Sequence, residues 1–215
     1  MTLTTPTRAP RADAERNRRR VLDAGVRVFA EHGATATLND VARAAGVGVG
    51  TVYRKFPDKE AMLDALFDDK IDALVRLAEQ ASTIDDAGAA IRSFLFGLME
   101  KRATDRGLDA ILTTPGRNAR FSEELGERFV PTVDRLVARA IRAGELRPDF
   151  TGQEVCLLGF MVGKVADVTR DTDPDAWRRY AQLLVDGTRA SEGTEALSPA
   201  PLSFSDIAIA LGRAS

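Results

Sequence analysis

The stretch Thr37–Glu60, which reads TLNDVARAAGVGVGTVYRKFPDKE, decides the fold. Thr37 begins a short helix, because Asp40 follows three residues later and the two side chains match a capping box. The helix is expected to end at Ala45, since Gly46 supplies a residue that tolerates positive φ. The pattern therefore predicts a short helix followed by a tight turn.

A second short helix is predicted over 49–56, and Pro57 ends it because the residue before a proline avoids the helical region. Ala42 supplies the small residue that two crossing helices need. The small core between the helices is assigned to Val41, Ala45, Val47, Val52 and Phe56. The residues left near or on the outward side of the second helix are Gly48, Val49, Gly50, Thr51, Tyr53, Arg54 and Lys55. A recognition helix presents such groups to the major groove of DNA.

The remainder of the chain also reads as helix, and no segment shows the alternation of a convincing strand. The fold class is therefore all-α, with about nine helices. Besides the two short helices, the predicted ranges are 13–32, a long helix capped by Asp58, 86–102, 106–113, 121–143 with a kink at Pro131, 152–170, and 174–190 capped by Asp173.

Four segments follow from this pattern. Residues 1–12 form a disordered arm, 13–57 a helix-turn-helix DNA-binding domain, 58–190 a larger helical body for ligand binding and dimerisation, and 191–215 a mobile tail. Within the tail, 204–211 has the pattern of one or two amphipathic helical turns.

Charge is distributed unevenly along the 215 residues, whose net charge is −2. Residues 1–60 hold 11 Arg and Lys against 7 Asp and Glu, whereas the remainder holds 19 against 25. A basic N-terminal module on an acidic body is consistent with nucleic-acid contact at one end. No apolar run reaches the ~20 residues that span a bilayer, and the N-terminus lacks the apolar core of a secretory signal. We therefore expect a soluble cytoplasmic protein.

Residues 14–67 resemble the DNA-binding domain of the tetracycline-repressor (TetR) family. The matching pieces are RVFAEHG at 27–33, TLNDVARAAGV at 37–47, GTVYRKF at 50–56 and PDKE at 57–60. The resemblance implies an all-helical subunit with three N-terminal helices for DNA and a larger C-terminal domain for dimerisation and ligand. It also implies two partners, double-stranded DNA and a second copy of the chain.

The same resemblance implies roles for individual residues. Thr37, Tyr53 and Lys59 match positions that contact phosphate, and Thr51, Arg54 and Lys55 match positions that reach base edges or phosphate. This chain departs from many relatives at one position, because Gly48 stands where they have serine. Gly48 and Gly50 offer no side chain to DNA.

Side-chain chemistry supports part of this assignment independently. Val49 and the methyl group of Thr51 can pack on thymine methyls, and Arg54 can donate two hydrogen bonds to guanine. Arginines at 16, 18, 19 and 20 could meet the flanking backbone or groove, although a run of this kind is also typical of a solvated helix end.

Two further surfaces are assigned on the body. The resemblance implies a four-helix dimer interface, for which the candidates are Leu157, Phe160, Met161, Trp177, Tyr180 and Leu184; the alternative is that these residues complete the subunit core. It also implies a cavity for a small apolar ligand, for which the candidates are Phe94, Leu98, Met99, Ile111, Leu112, Phe121, Phe129 and Val133. The alternative for this second set is again ordinary core.

These observations favour a dimeric repressor that a small apolar ligand releases from an inverted-repeat operator. A DNA-binding regulator with no small-molecule effector, or one that activates, is the alternative. An all-helical enzyme is remote, because the chain has one histidine, His32, and one cysteine, Cys156, far apart in sequence. We expect no metal site and no cofactor.

Overall fold

The computed structural model describes residues 9–105, 125–191, 193, 195–203 and 205–207. Its regular elements within these ranges are helical, and the all-α prediction is confirmed. The helices are α1 (Ala9–His32), α2 (Leu38–Ala45), α3 (Val49–Lys55), α4 (Lys59–Ser82), α5 (Ala87–Thr104), α6 (Val130–Arg142), α7 (Gly152–Thr169) and α8 (Trp177–Gly187). The predicted helix over 106–113 and the start of the one over 121–143 lie outside the described residues. None of the helices described is long and apolar enough to cross a membrane.

Helix α1 begins at Ala9, four residues earlier than predicted, so residues 9–12 belong to the helix and not to a disordered arm. Pro10 falls in the first turn, where its missing N–H costs no intrahelical hydrogen bond. The sequence predicts a start at Asp13, because the Pro and Arg composition of the preceding residues is typical of disordered chain.

The chain divides into two compact units between Asp68 and Asp69. This boundary lies about three helical turns beyond the predicted one at 57/58, because the first turns of α4 pack on α1. A Cβ built on Gly25 would lie 3.3 Å from Leu66 Cδ1 and 3.5 Å from Met62 Sδ. Glycine at this position therefore permits the two helices to approach closely.

In the second unit, α5 packs closely against α7. The approach depends on small residues of α7, because a Cβ on Gly159 would lie 3.2 Å from Arg102 Cγ and one on Gly163 would lie 3.5 Å from the Arg102 main-chain oxygen. The buried side chains of this unit's core include Phe94, Leu95, Met99, Phe129, Val133, Val155 and Val162.

The predicted irregularity at Pro131 takes the form of a π-helical turn over Leu125–Phe129, directly before α6. Pro131 then occupies the first turn of α6. Because proline has no N–H to donate, the regular hydrogen-bond ladder cannot run through this position, and the break falls just before it.

Helix α8 begins at Trp177, so the predicted start at Pro174 is wrong by three residues. Asp173 accepts a hydrogen bond from Asp175 N at 3.0 Å, and its main-chain oxygen accepts one from Ala176 N at 3.2 Å. These short-range bonds form a turn ahead of the helix.

The described part of the tail is attached to the loop between α6 and α7. Arg147 Nη2 donates to the Glu195 oxygen at 2.8 Å, and Leu197 N donates to Asp149 Oδ2 at 2.6 Å. Further along, Ile207 is buried. These contacts argue against free mobility of the tail over these residues.

Candidate nucleic-acid interface

Helix α2 begins with a complete capping box. Asp40 N donates to Thr37 Oγ1 at 3.2 Å, and Thr37 N donates to Asp40 Oδ2 at 3.1 Å, as the sequence predicts. The Thr37 hydroxyl also donates to Asp40 Oδ2 at 2.6 Å, and this bond lowers the pKa of Asp40. A hydroxyl has one proton. Thr37 can therefore donate that proton to a phosphate only by releasing Asp40.

The turn between α2 and α3 depends on Gly46. Its backbone has φ 63° and ψ 38°, which is the left-handed conformation that the sequence predicts for it. Gly46 N donates to the Arg43 oxygen at 3.2 Å, and Val47 N donates to the Ala42 oxygen at 3.1 Å. The turn consequently supplies hydrogen bonds to carbonyls that the end of α2 would otherwise leave without a donor.

Helix α3 has one face in the core and one face in solvent. Val52 and Phe56 are buried, whereas Val49 is 45% exposed and Tyr53 is 44% exposed. Arg54 is exposed as well. Positions 49, 52, 53 and 56 have the spacing of one helix side, so Val49 and Tyr53 border the buried residues Val52 and Phe56 and yet reach solvent. Large apolar and aromatic groups are thus exposed on this short helix.

The start of α3 carries no side-chain cap. Gly48 is the N-cap residue with φ −64° and ψ 139°, and its oxygen accepts a hydrogen bond from Thr51 N at 2.8 Å. A Cβ at Gly48 would have only Thr51 Oγ1 within 4 Å, at 3.9 Å, and one at Gly50 would have nothing. The fold of the subunit therefore does not itself require glycine at either position.

Lys55 differs from the other predicted contact residues of α3. It is half-buried, and its Nζ donates to the main-chain oxygen of Ala14 at 3.2 Å. This bond attaches the end of α3 to the beginning of α1. The ammonium group of Lys55 therefore has a structural partner within the unit, which favours a positioning role over contact with a base.

The start of α4 provides the next predicted contact residue. Asp58 Oδ1 accepts from Ala61 N at 2.7 Å, so the predicted cap is confirmed. Lys59 follows it, and its Nζ lies 5.4 Å from the centroid of the Phe29 ring. This cation–π contact orients the ammonium group at the N-terminus of α4.

The arginines of α1 take part in contacts within their own unit. Arg18 lies with its guanidinium carbon 5.7 Å from the centroid of the Phe56 ring. The other three have partners on α1 itself: Arg16 pairs with Asp13, Arg19 Nε lies 3.2 Å from Asp23 Oδ1, and Arg20 Nη2 donates to Asn17 Oδ1 at 3.3 Å. Contact with DNA would have to compete with these interactions.

Five of the residues assigned to a ligand cavity are buried in the second unit: Phe94, Leu98, Met99, Phe129 and Val133. The rings of Phe94 and Phe129 lie with their centroids 6.1 Å apart. Ile111, Leu112 and Phe121 lie outside the described residues. Thr132 is buried beside this set and accepts a hydrogen bond from Arg135 Nη2 at 2.9 Å, a polar group that the apolar pattern did not single out.

The residues assigned to a dimer interface separate into two groups. Met161 and Tyr180 are exposed, and Leu157, Phe160 and Leu184 are half-buried. Trp177 is 3% exposed and is therefore corrected to a residue of the subunit core, with the Arg178 guanidinium 4.5 Å from its ring centroid. Val168 is 80% exposed and was missed, although its spacing of seven residues from Met161 places it on the same helix face.

Across the residues described, no group of three His, Cys, Asp or Glu side chains is arranged to hold a metal ion. Cys156 lies within α7, and burial raises the pKa of its thiol to about 12. The thiol is therefore kept in its protonated, unreactive form at neutral pH.

The capped helix α2, the turn at Gly46 and the exposed face of α3 define a helix-turn-helix DNA-binding protein. Residues 21–66 match the family of bacterial regulatory proteins known as the tetR family, and residues 86–190 match the C-terminal domain of SbtR-like transcriptional regulators. The chain belongs to the TetR family of transcription regulators, which are not enzymes. The resemblance seen in residues 14–67 is confirmed, as is the expectation that the chain has no enzymatic role.

Individual relatives support the same placement. A crystallised TetR regulatory protein from Mycobacterium vanbaalenii is 31% identical, with a TM-score of 0.61 over 84% of this chain and 99% of that one. The fatty acid metabolism regulator protein of Bacillus subtilis is 26% identical over 162 residues, or 71% of this chain and 80% of that protein. The transcriptional repressor LfrR of Mycolicibacterium smegmatis is 52% identical over 52 residues, which span 24% of this chain and 27% of that repressor.

Proposed function

We propose that this regulator is a homodimeric repressor that binds an inverted-repeat operator through α3 and releases it when a small apolar ligand binds the second unit. The outward face of α3 carries the proposal. Val49, Tyr53 and Arg54 are exposed on a helix that Val52 and Phe56 fix in the core. Groups held in this way are pre-organised for a groove.

The contact residues divide by chemistry. Val49, Thr51 and Arg54 are proposed to read bases, because a methyl group recognises thymine and a guanidinium recognises guanine. Tyr53 and Lys59 are proposed to contact phosphate, which sets affinity and register but not sequence preference. Thr37 is proposed to contact phosphate as well, on condition that its hydroxyl releases Asp40. Gly48 and Gly50 contribute main chain alone, and Lys55 positions α1.

The exposed apolar residues of α7 and α8 support the dimer. Met161, Val168, Tyr180 and Leu183 are between 43% and 80% exposed, which is unusual for large apolar side chains of a monomer. A two-fold dimer would cover them. It would also present two α3 helices to half-sites separated by about one helical turn of DNA, ~34 Å, or by multiples of it.

A relative and the buried apolar residues of the second unit both bear on the identity of the ligand. The Bacillus subtilis relative is named for fatty acid metabolism, and an apolar ligand suits the buried apolar set that contains Phe94 and Phe129. A ligand acts on DNA binding only by favouring one arrangement of the dimer over another. We propose that it favours an arrangement in which the two α3 helices are wrongly spaced for the operator.

A regulator without an effector is the second candidate, and the burial of the same five residues supports it. Side chains such as Phe94 and Met99, which are fully buried, fit a packed core as well as a cavity wall. Thermal denaturation with a panel of fatty acids and acyl thioesters separates the two. A ligand that binds the native protein raises the midpoint with concentration, and the ligand-free regulator shows no such shift.

Selection of bound sequences from random duplex DNA tests the function itself. The purified full chain is incubated with the library at stated salt, since affinity for DNA depends steeply on salt. An enriched inverted repeat is expected. Binding that fades with salt and enriches no sequence would contradict a sequence-specific regulator and leave non-specific affinity only.

A further inference from the structure

Residues 195–203 of the tail form a segment, called here the strap, that is held near its start by its main chain. Arg147 Nη2 donates to the Glu195 oxygen at 2.8 Å, and Leu197 N donates to Asp149 Oδ2 at 2.6 Å. Arg147 and Asp149 also pair with each other, and their side chains are only 11% and 23% exposed. Because a poorly hydrated ion pair binds two main-chain groups, it fixes the strap without using the strap's side chains.

The other end of the strap is anchored by a short turn. Asp206 N donates to Ser203 Oγ at 3.1 Å, and Ile207 N donates to the Ser203 oxygen at 3.0 Å. Ile207 is 2% exposed, so the turn ends in a buried side chain. Between the two anchors, the rings of Pro199 and Pro201 restrict φ. The strap is therefore attached at both ends and stiffened between them.

The side chains of the strap face solvent in the subunit. Every residue from 195 to 203 is exposed, and Leu197 and Leu202 are 58% and 49% exposed. No residue from 196 to 203 is charged. Ordering a chain costs conformational entropy, yet within the subunit this order buries none of the strap's own side chains. A segment fixed by its main chain, with leucines left outside, is pre-organised for contact with an uncharged surface.

The strap lies at the end of α8 that the proposed dimer surface reaches. Leu146, in the loop between α6 and α7, forms an isolated antiparallel bridge with Arg189, and Arg147 N donates to the Thr188 oxygen at 3.0 Å. The loop that holds the strap is thus joined to the chain just after α8. Leu183, about one turn before the end of α8, is 57% exposed. The exposed leucines of the strap therefore continue the exposed apolar surface of α8.

We propose that the strap is a further part of the dimer surface, in which Leu197 and Leu202 pack on the partner subunit. The inference rests on the proposed dimer of α7 and α8 and extends it beyond residues 86–190, the part of the chain that matches the SbtR-like C-terminal domain. A second copy of this chain is favoured as the occupant because the strap is continuous with α8. DNA is disfavoured, because residues 196–203 offer no Lys or Arg to phosphate.

Sedimentation equilibrium of the full chain tests the strap. The combined variant Leu197→Ser and Leu202→Ser keeps the main-chain hydrogen bonds and removes the apolar groups. Because these side chains are exposed in the subunit, the variant is expected to fold as the natural chain does, which far-UV circular dichroism checks. The dissociation constant of its dimer is expected to rise by about tenfold or more, since burial of leucine side chains is lost.

A matched control lies in the same segment. Ala196→Ser combined with Ala200→Ser makes two polar substitutions on the strap but removes little apolar area, and it is expected to leave the dissociation constant within about twofold of that of the natural chain. If the leucine variant dissociates no more readily than this alanine variant, the strap takes no part in the dimer and the inference is wrong.

Photo-cross-linking supplies a readout that does not depend on a change in stability. The purified full chain carries p-benzoylphenylalanine in place of Leu202 or, as the control, in place of Thr83, which is exposed in the loop between α4 and α5. Irradiation is expected to give a covalent dimer from position 202 and little from position 83. Equal yields from the two positions would overturn the inference, as would a product that forms only with operator DNA and contains it.

Leu183→Asp, measured in parallel, separates failure of the strap from failure of the proposed dimer. A dimer that Leu183→Asp disrupts but the leucine variant of the strap does not would refute the strap and keep the α7 and α8 surface. A dimer that only the strap variant weakens would support the strap and contradict the proposed face of α8. A natural chain that stays monomeric at the concentrations at which it binds its operator would contradict both.

Discussion

Lys55 Nζ donates a hydrogen bond to the main-chain oxygen of Ala14 at 3.2 Å, across 41 positions of sequence. The bond joins the last turn of the proposed recognition helix to the first turns of α1. It gives Lys55 a structural role within the unit, although the family resemblance predicts DNA contact for both Lys55 and Lys59. The Nζ of Lys59 lies 5.4 Å from the centroid of the Phe29 ring, and Lys59 is the first residue of α4.

The two lysines are therefore expected to respond differently to substitution. Lys59→Met should lower the slope of log K against log salt by about one unit per subunit, because a phosphate contact is lost. Lys55→Met should leave that slope unchanged and lower the free energy of unfolding by about 1 kcal/mol through the lost hydrogen bond. Salt titrations and chemical denaturation measure the two effects. Equal slopes for the two variants would assign both lysines to the same class.

Arg54 should determine sequence preference at one position of each half-site. Arg54→Ala is expected to cost about 1–3 kcal/mol at the preferred base of that position and little at other sequences. Repeating the selection from random DNA with the variant measures this directly, with Lys59→Met as the control that weakens binding but keeps the preference. An equal loss of affinity for all sequences would show that Arg54 contacts the DNA backbone and not a base.

Gly50 allows stability and function to be separated. A Cβ at Gly50 would meet nothing within 4 Å, and the same holds for Gly187 at the end of α8. Gly50→Ala should therefore raise the free energy of unfolding by about 0.5–1 kcal/mol. It should also weaken DNA binding, because the added methyl group occupies space that DNA needs. Gly187→Ala is the control, and a Gly50→Ala protein that binds DNA as tightly as this control would show that the main chain at Gly50 makes no close approach.

Asp149 should make the free energy of unfolding of the second unit depend on pH in the acid range. Hydrogen bonds from the Arg147 guanidinium and then from Leu197 N lower the pKa of Asp149 from 3.8 to about 2. Because the folded-state pKa lies below the ordinary value, the carboxylate stabilises the fold above about pH 4, and this contribution is lost as the pH falls through 2. Unfolding free energies of the natural chain and of Asp149→Asn should differ most near neutral pH and converge toward pH 2.

The unfolding free energy of Arg147→Met, measured against pH, tests whether the Arg147 guanidinium lowers the pKa of Asp149. This variant removes the main source of the lowered pKa, so its stability should also lose the acid-dependent component. A difference between the natural chain and Asp149→Asn that stays constant from pH 6 to pH 2 would contradict the lowered pKa of Asp149.

Local sequence patterns predict the helix-turn-helix well, whereas they do not predict contacts between residues that are distant in sequence. The capping box of Thr37 and Asp40 and the left-handed Gly46 depend on atoms a few residues apart, so their residue types suffice to predict them. The Lys55–Ala14 bond depends on how three helices pack. From residue type alone, the expected partner of a lysine on a recognition helix is DNA.

The body of the chain shows the same limit. An apolar helix stripe predicts burial but does not say whether the subunit or a second subunit covers it, so Trp177 and Tyr180 were assigned together although only Tyr180 is exposed. The Lys70–Asp105 pair joins residues 35 positions apart, and nothing in the spacing of either residue indicates the other.

Two apolar residues of α8 differ sharply in burial, and this difference separates the proposed dimer surface from the subunit core. Leu183 is 57% exposed and Trp177 is 3% exposed. Leu183→Asp should leave the subunit folded, since surface changes alter stability little, but should shift sedimentation toward monomer and weaken operator binding by removing one of two half-site contacts. Trp177→Ala should instead lower the free energy of unfolding by about 3–5 kcal/mol through a cavity in the core. Sedimentation velocity and thermal denaturation separate the two effects. A Leu183→Asp protein that remains dimeric at low micromolar concentration, with the same operator affinity, would place the dimer surface on another face of the subunit.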